Sequence, residues 1–135
     1  MTDLETTRVG RRARILVVDD SSLVRLYCRH ALETAGFEVE QAVNGIEAIE
    51  KVLQQTFDLV IVDVNMPRMD GFSFLRELRR SASHVATIPA MIITTEAGEE
   101  DVEDGRVAGA NLYLVKPVSE ADLLRHVAVL AGVPT

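Results

Sequence analysis

Charged and hydroxyl side chains end several short apolar runs of this sequence. Asp63 follows an apolar, β-branched run of the length typical of a strand buried on both faces. Asp19 and Asp20 follow a second run, Thr94 a third and Lys116 a fourth. Burying an ionised carboxylate without partners is costly, so we expect these strand ends to lie at an opening or beside a cation. A carboxylate in such a position is a candidate nucleophile or metal ligand.

The residue types favour phosphoryl chemistry. Three carboxylates at one sheet edge would repel one another unless a cation joined them. Oxygen-only ligands on a shallow rim suit Mg²⁺, with Mn²⁺ as an alternative. Lys116 could pair with Asp63 or with a phosphoryl group, and the Thr94 hydroxyl could donate to a phosphoryl oxygen. Together these groups could move a phosphoryl group onto or off an aspartate, where catalysis is mostly positioning and charge neutralisation.

The elements that must position these residues alternate between strand and helix. Apolar runs predict five strands, at residues 15–18, 37–42, 59–62, 91–93 and 112–115. Apolar residues at helical spacing predict a helix after each strand. This alternation predicts an α/β, doubly wound, five-stranded parallel sheet covered on both faces, with right-handed crossovers. Functional groups of such sheets gather beyond the carboxyl ends of the strands, where the charged residues stand.

Apolar spacing also predicts which face of each helix is buried. The buried residues expected on the first, second, third and last helices are Val24, Tyr27, Cys28, Ala31 and Ala35; Ile46, Ile49 and Leu53; Phe74, Leu75 and Leu78; and Leu123, Leu124, Val127 and Leu130. The expected helix caps are Ser21 and Ser22, Asn44 with Glu47, Asp70 and Ser119. Residues 81–89 are expected to form a loop.

The helix predicted between residues 96 and 109 has the weakest signal. Glu99, Glu100 and Asp101 suit a helix N-terminus. Gly105 costs about 1 kcal/mol relative to alanine in a helix, and few apolar residues hold the segment to the core. We expect it to be the loosest element.

Composition limits the function classes. The chain has 135 residues, a net charge of −7 and one cysteine, Cys28. This predicts one domain at residues 14–131 after a flexible extension at 1–13, with no output domain and no disulfide. The acidic balance argues against direct nucleic-acid binding, and the lack of a long apolar run argues against a membrane span. We expect a cytoplasmic protein, and His30, His84 and His126 show no ligand spacing.

From about residue 14 to residue 130 the sequence resembles the receiver domains of two-component response regulators, in particular the single-domain, chemotaxis-regulator-like type. The motifs that carry the resemblance are ILVVDDSS, DLVIVDVNMPRMDG, MIITTEA and YLVKP. The resemblance implies a flavodoxin-like sheet in the order 2-1-3-4-5. It also implies a signalling phosphoacceptor, with self-catalysed phosphotransfer and autodephosphorylation, that takes its phosphoryl group from a sensor histidine kinase or phosphotransfer protein and signals to a protein effector.

The resemblance assigns the chemical roles residue by residue. Asp63 would accept the phosphoryl group. Asp19, Asp20 and Asp63, with the backbone carbonyl of Asn65, would hold Mg²⁺. Thr94 and Lys116 would hold the phosphoryl oxygens, and the peptide bond between Lys116 and Pro117 would be cis.

The resemblance also implies the output mechanism. Thr94 would move toward the phosphoryl group, and Tyr113 would rotate inward behind it. Asn65 and Glu96, each two residues after a site residue, would tune attack by water. The surface that changes would comprise the fourth helix, the fifth strand and the fifth helix.

Alternative functions remain open at this stage. An aspartate-nucleophile phosphatase of the haloacid dehalogenase type also uses Mg²⁺ and a similar sheet, but its D-x-D pair and cap insertion are not seen here. A phosphorylation-independent interaction module would keep the fold and have lost one of the site residues, and none is missing. A purely structural ion-pair network would rarely need three acids against one base. The chain could also be a receiver excised from a hybrid kinase or longer regulator.

Overall fold

Within the described part of the chain, five parallel strands form one sheet in the order β2-β1-β3-β4-β5. The computed structural model describes residues 12–132. The strands are β1 (Arg14–Val18), β2 (Glu38–Ala42), β3 (Leu59–Val62), β4 (Ala90–Thr94) and β5 (Leu112–Val115). The main helices are α1 (Ser22–Thr34), α2 (Gly45–Gln54), α3 (Gly71–Arg80), α4 (Glu99–Ala108) and α5 (Glu120–Leu130). The predicted doubly wound fold and strand order are therefore confirmed.

Each strand contributes to two cores because successive side chains point to opposite faces of a sheet. On one face, Val60 and Val62 pack with residues of α2 and α3 such as Phe74. On the other, Leu59 and Ile61 pack with residues of α1 and α5. Both cores stop at the carboxyl ends of the strands, where the polar residues begin.

Side-chain caps begin most of the helices where the sequence predicts them. The side chains of Ser21, Asn44, Asp70 and Ser119 each accept a hydrogen bond from a backbone N–H in the first turn of the following helix. Asn44 accepts from the backbone N of Glu47 at 2.9 Å. These caps determine the direction in which each helix leaves the loop at the functional edge of the sheet.

The predicted buried face of α2 is only partly correct, because Ile49 packs against the core but Leu53 does not. Leu53 is 63% exposed, whereas Ala48 is fully buried and Val52 is 3% exposed. The buried stripe lies about a quarter turn from the predicted one, because α2 also packs against α3 and its small residues allow that approach. Apolar spacing alone weighted the large side chains and missed the small ones.

The predicted face of α1 is only partly correct. Cys28 and Ala31 are buried, but Leu32 joins them. Tyr27 is 45% exposed, and its hydroxyl donates to the carbonyl oxygen of Val118 at 3.0 Å. A tyrosine at the rim of the core keeps its hydroxyl hydrogen-bonded, which places it off the buried stripe. Ala35, also predicted on that stripe, is the exposed C-cap.

One smaller prediction also differs from the structure, and another lies almost wholly outside the described residues. Residues 81–89 contain a helical turn, Ser83–Ala86, which the loop prediction omitted. The predicted flexible extension at 1–13 lies outside the described residues except for its last two, and the carbonyl of Ala13 accepts from the backbone N of Glu38 at 2.9 Å. Among the described residues, no helix is long and apolar enough to cross a membrane.

Candidate functional site

The carboxyl ends of four adjacent strands bring the predicted site residues together. Val18 of β1 and Val62 of β3 are register partners, so Asp19 and Asp63 leave the sheet side by side. The backbone N of Asp63 donates to the carbonyl of Val18 at 3.0 Å. Thr94 ends β4, and Lys116 follows β5. The order of the parallel strands in the sheet thus places residues that are distant in the sequence next to one another.

Three carboxylates form an acidic cluster at this edge. Asp19, Asp20 and Asp63 each place one oxygen within 4.8 Å of the others. Asp19 is 3% exposed and Asp63 is 8% exposed, whereas Asp20 faces solvent. Burial raises the pKa of Asp19, against the effects of the Ser21 backbone N–H and Lys116. The cluster is therefore a site in which a cation is needed to balance charge.

Lys116 supplies one such cation. Its Nζ donates to Oδ2 of Asp63 at 3.1 Å and to Oδ2 of Asp19 at 3.2 Å. Burial alone would lower the pKa of this ammonium, but the hydrogen bonds and charges of the two aspartates outweigh it, and the pKa is raised. Lys116 thus stays protonated between two carboxylates at neutral pH.

A series of hydrogen bonds connects Asp63 with Asn65, Glu96 and Thr94. Thr94 is fully buried, and its Oγ1 accepts from the backbone N of Glu96 at 3.4 Å. The backbone N of Asn65 donates to Oδ1 of Asp63 at 3.4 Å. Nδ2 of Asn65 donates to Oε1 of Glu96 at 2.6 Å. This hydrogen bond joins the loops that follow β3 and β4 above the acidic cluster.

Tyr113 connects this loop to α4. Its hydroxyl donates to the carbonyl oxygen of Glu96 at 2.6 Å, and its ring packs against the core on the side of the sheet that α4 covers. Burial raises the pKa of Tyr113, and the charges of Asp101, Glu96 and Asp63 add to the effect. The tyrosine expected to act as a switch therefore lies in an inward position.

Two residues that sequence reasoning missed also shape the site. The guanidinium of Arg25 donates to the backbone carbonyl of Asp19 at 2.6 Å and to Oε1 of Gln41 at 3.2 Å. It thereby ties the β1–α1 loop to the end of β2. A Cβ at Gly71 would lie 2.2 Å from the carbonyl oxygen of Asp63. Only glycine allows α3 to begin so close to that backbone, and its position at the end of the acidic motif was the available signal.

An apolar groove lies beside the acidic cluster. It has a volume of about 390 Å³, and Leu23 and Tyr27 of α1 face Pro117 and Leu123 across it. Lys116 lines the groove as well, so it opens next to the charged residues. Leu23 is 76% exposed and Leu26 is 62% exposed. Large exposed leucines on one helix face are typical of an interaction surface.

The response regulator receiver domain family matches residues 15–128 of the chain. The chain belongs to this family. The resemblance predicted from four sequence motifs is therefore confirmed. PilH of Pseudomonas aeruginosa is 40% identical over 121 residues, which cover 89% of this receiver and 99% of PilH. The gliding motility regulatory protein of Myxococcus xanthus is 44% identical over 107 residues, or 79% of this receiver.

The lengths of the relatives differ widely. The chain spans 14% of the gliding motility regulatory protein and 9% of the sensor protein EvgS of Escherichia coli, to which it is 39% identical over 116 residues. The receiver is thus similar both to a protein of about its own size and to parts of much longer ones.

Solved structures share the fold closely. The chemotaxis response regulator CheY4 of Vibrio cholerae superposes with a TM-score of 0.83 at 39% identity, covering 89% of this receiver and 99% of that chain. The receiver domain of the sensor histidine kinase PA1611 of Pseudomonas aeruginosa has a TM-score of 0.83 at 30% identity and covers 90% of this receiver and 99% of that chain. The chain is therefore a CheY-like receiver domain of two-component signalling, as its motifs predict.

Proposed function

We propose that this receiver accepts a phosphoryl group on Asp63 from a sensor histidine kinase or phosphotransfer protein, and that the change is read on the surface formed by α4, β5 and α5. The observation that carries the proposal is the position of Asp63. One carboxylate oxygen is paired with Lys116 and the other accepts from the backbone of Asn65. Its oxygens are thus held in place for attack at the carboxyl end of β3, next to the exposed Asp20.

The reaction is a transfer from nitrogen to oxygen. A carboxylate oxygen of Asp63 attacks phosphorus as the P–N bond to the donor imidazole breaks, and the imidazole takes up a proton. Lys116 and Thr94 would stabilise charge on the transferred oxygens, and attack by water would later release phosphate. The receiver is in this sense a phosphoacceptor that catalyses its own reactions, with Asn65 and Glu96 set to influence the approach of water.

The acidic cluster fits Mg²⁺. Three carboxylates within reach of one ion, one of them exposed, leave room for the waters that this ion retains. Asp19, Asp20 and Asp63 would hold it, with the backbone carbonyl of Asn65 as the expected fourth ligand; Mn²⁺ has similar preferences. When bound, the ion would neutralise phosphoryl charge. The related PA1611 receiver holds a magnesium ion in its active-site cleft.

The apolar groove is the proposed docking face for the protein that donates the phosphoryl group. The donor histidine must reach Asp63 from the open edge, and the groove begins at Lys116, a hydrogen-bond partner of Asp63. Leu23 and Leu26 extend this apolar face along α1. We also propose that the domain comprises residues 14–131 and that the protein is cytoplasmic. The proposed effector is a protein that binds the surface of α4, β5 and α5.

Phosphorylation with a small acyl phosphate tests the proposal without a kinase. Wild type should gain about 80 Da by intact mass, the mass of one phosphoryl group, in a Mg²⁺-dependent reaction. Asp63→Asn should gain nothing. Asp104→Asn, the same change at an exposed position on α4, is the matched control and should behave as wild type.

Fast hydrolysis could hide the adduct, so the test includes a trapping arm. A beryllium fluoride analogue should bind wild type in the presence of Mg²⁺ and should not bind Asp63→Asn. Neither adduct nor analogue binding in wild type would refute the phosphoacceptor proposal. The remaining function would then be a phosphorylation-independent interaction module.

A further inference from the structure

Gly105 faces the ring of Tyr113 from the middle of α4. Gly105 is buried, and a Cβ built on it would lie 2.9 Å from Cδ2 and 3.1 Å from Cε2 of Tyr113. The same Cβ would lie 3.0 Å from Cδ1 of Ile92. Carbon atoms in contact are normally about 3.5–4.0 Å apart, so a methyl group here would overlap the ring.

A glycine at this position is otherwise unfavourable. In the interior of a helix, glycine costs about 1 kcal/mol relative to alanine. No turn or positive backbone angle calls for glycine at position 105, since the positive-φ glycines among the described residues are Gly36, Gly109 and Gly132. The close approach of Tyr113, together with that of Ile92, is the feature of the structure that accounts for it.

The inward ring is held on two sides. The hydroxyl of Tyr113 donates to the carbonyl oxygen of Glu96 at 2.6 Å, and the backbone N of Glu96 donates to Oγ1 of Thr94. The ring therefore lies between α4 and the loop that carries Thr94. The hydroxyl hydrogen bond lies at one end of the ring, and the backbone of Gly105 lies next to ring atoms Cδ2 and Cε2.

We propose that Gly105 is the positioning residue that admits the Tyr113 ring to its inward position and so sets the balance between the inward and outward states. The consequence for signalling rests on the proposed function, in which the state of Asp63 is transmitted through Thr94 to Tyr113. Replacing Gly105 by alanine should shift the ring outward in the absence of any phosphoryl group. The shift should occur even though alanine strengthens the helix.

The chain has two tyrosines, which makes the ring directly observable. Protein labelled with 3-fluorotyrosine should give two ¹⁹F resonances, one from Tyr113 and one from Tyr27, which is 45% exposed and serves as an internal reference. In wild type a soluble gadolinium chelate should broaden Tyr27 strongly and Tyr113 weakly. In Gly105→Ala the broadening of Tyr113 should rise severalfold, toward that of Tyr27.

Two further variants control the experiment. Asp104→Ala also replaces a weak helix former by alanine on α4, but at an exposed position, and should leave the Tyr113 resonance unchanged. Gly105→Ala combined with Tyr113→Leu removes the ring that the methyl group would meet. Adding Gly105→Ala to Tyr113→Leu should raise the free energy of unfolding. Adding Gly105→Ala to wild type should raise the free energy of unfolding by less.

A Tyr113 resonance that stays protected in Gly105→Ala would overturn the proposal, because α4 would then have moved away while the ring remained inward. Equal stability gains in the two backgrounds would overturn it as well. These measurements need no Mg²⁺ and no phosphoryl donor. Their failure is therefore distinguishable from failure of the acyl-phosphate experiment on Asp63.

Discussion

When no metal ion is bound, Lys116 balances the negative charges of Asp19 and Asp63. Its ammonium contacts two carboxylates that are nearly inaccessible to solvent, with side-chain exposures of 4% for Asp19 and 10% for Asp63. When the cation is removed, the Coulombic repulsion between those carboxylates is no longer compensated by attraction to the ammonium. The same carboxylates are the proposed ligands of Mg²⁺, so the lysine and the metal ion compensate the same charges.

Lys116→Met should therefore destabilise the protein and increase its response to Mg²⁺. We expect a loss of about 1–3 kcal/mol in chelator, because two buried acids lose a charged hydrogen-bond donor. Added Mg²⁺ should raise the midpoint of thermal unfolding more in the variant than in wild type, since binding to the native state stabilises it by mass action.

The chain offers a matched control for this change. Lys51, the other lysine, lies 3.9 Å from Glu40 in a partly exposed pair. Lys51→Met should change the free energy of unfolding by less than about 1 kcal/mol, as is usual for surface pairs. It should not alter the Mg²⁺ response. Equal Mg²⁺ shifts in wild type and Lys116→Met would contradict the shared role.

The buried thiol of Cys28 predicts how the free energy of unfolding depends on pH. Burial raises the pKa of its thiol to about 11, with the charge of Asp19 adding to the effect and Lys116 opposing it. An exposed cysteine titrates near 8.5, so the native state holds this proton more tightly than the unfolded state. Stability from this group should be fully present below about pH 8.5 and should be lost between about pH 8.5 and 11.

The measurement compares wild type with Cys28→Ala. The difference between their free energies of unfolding should be constant near neutral pH and should narrow as the pH approaches 11. Iodoacetamide at pH 8.5 should label the unfolded protein and leave the native protein unmodified. Rapid labelling of the native thiol would contradict its burial.

At the scale of secondary structure, α4 is held mainly through its C-terminal half. Its buried residues are Gly105 and Ala108. Beyond that end, the guanidinium of Arg79 on α3 donates twice to the carbonyl of Gly109, at 2.7 and 3.0 Å. Arg79 also donates to the carbonyls of Ala86 and Ile88 at 2.8 and 2.6 Å. The N-terminal half of α4, next to Glu96 and the acidic cluster, has no buried residue.

Arg79→Gln should release this end of α4. We expect a loss of about 1–3 kcal/mol, because three partly buried carbonyl groups would lose a charged donor. Hydrogen exchange should accelerate at the backbone amides of Ala110 and Asn111, which follow the helix. Arg80→Gln, at the exposed neighbouring position, should change stability by less than about 0.5 kcal/mol. Unchanged exchange in Arg79→Gln would show that packing alone holds this end.

The strands and the residues at their ends could be predicted from the sequence. The buried faces of the helices could be predicted only in part. Strand β5 has its predicted bounds, because an apolar run between turn residues leaves little choice. The burial of α2 was misread since it depends on the small residues that approach its neighbours. The sequence indicates that Gly105 weakens α4. Its contact with Tyr113 could not be predicted, because it depends on the distance between α4 and the sheet. The roles of the site residues remain predictions.

At the scale of the whole molecule, the acidic cluster lies between two different surfaces. One is the apolar groove with the exposed leucines of α1, and the other is the surface of α4, β5 and α5. Both meet the site through strand ends: Lys116 lines the groove, and Thr94 connects through Glu96 to Tyr113. Leu123 of α5 lines the groove as well, so a donor that docks mainly on the leucines of α1 leaves α4 and β5 available for reading the outcome.

This separation predicts that phosphorylation by a protein and by a small molecule can be uncoupled. Leu23→Asp or Leu26→Asp should slow phosphoryl transfer from a donor protein at least about tenfold, the effect of losing roughly 1.4 kcal/mol of docking free energy. The rate with a small acyl phosphate should not change, since neither leucine belongs to the acidic cluster or pairs with it through a hydrogen bond or salt bridge to Lys116. Leu53→Asp makes the same substitution at a leucine of α2 that is 63% exposed and does not line the groove. Equal rates from the donor protein in all three variants would show that the donor docks elsewhere, whereas a parallel loss with acyl phosphate would show that the α1 substitutions disturb the site itself.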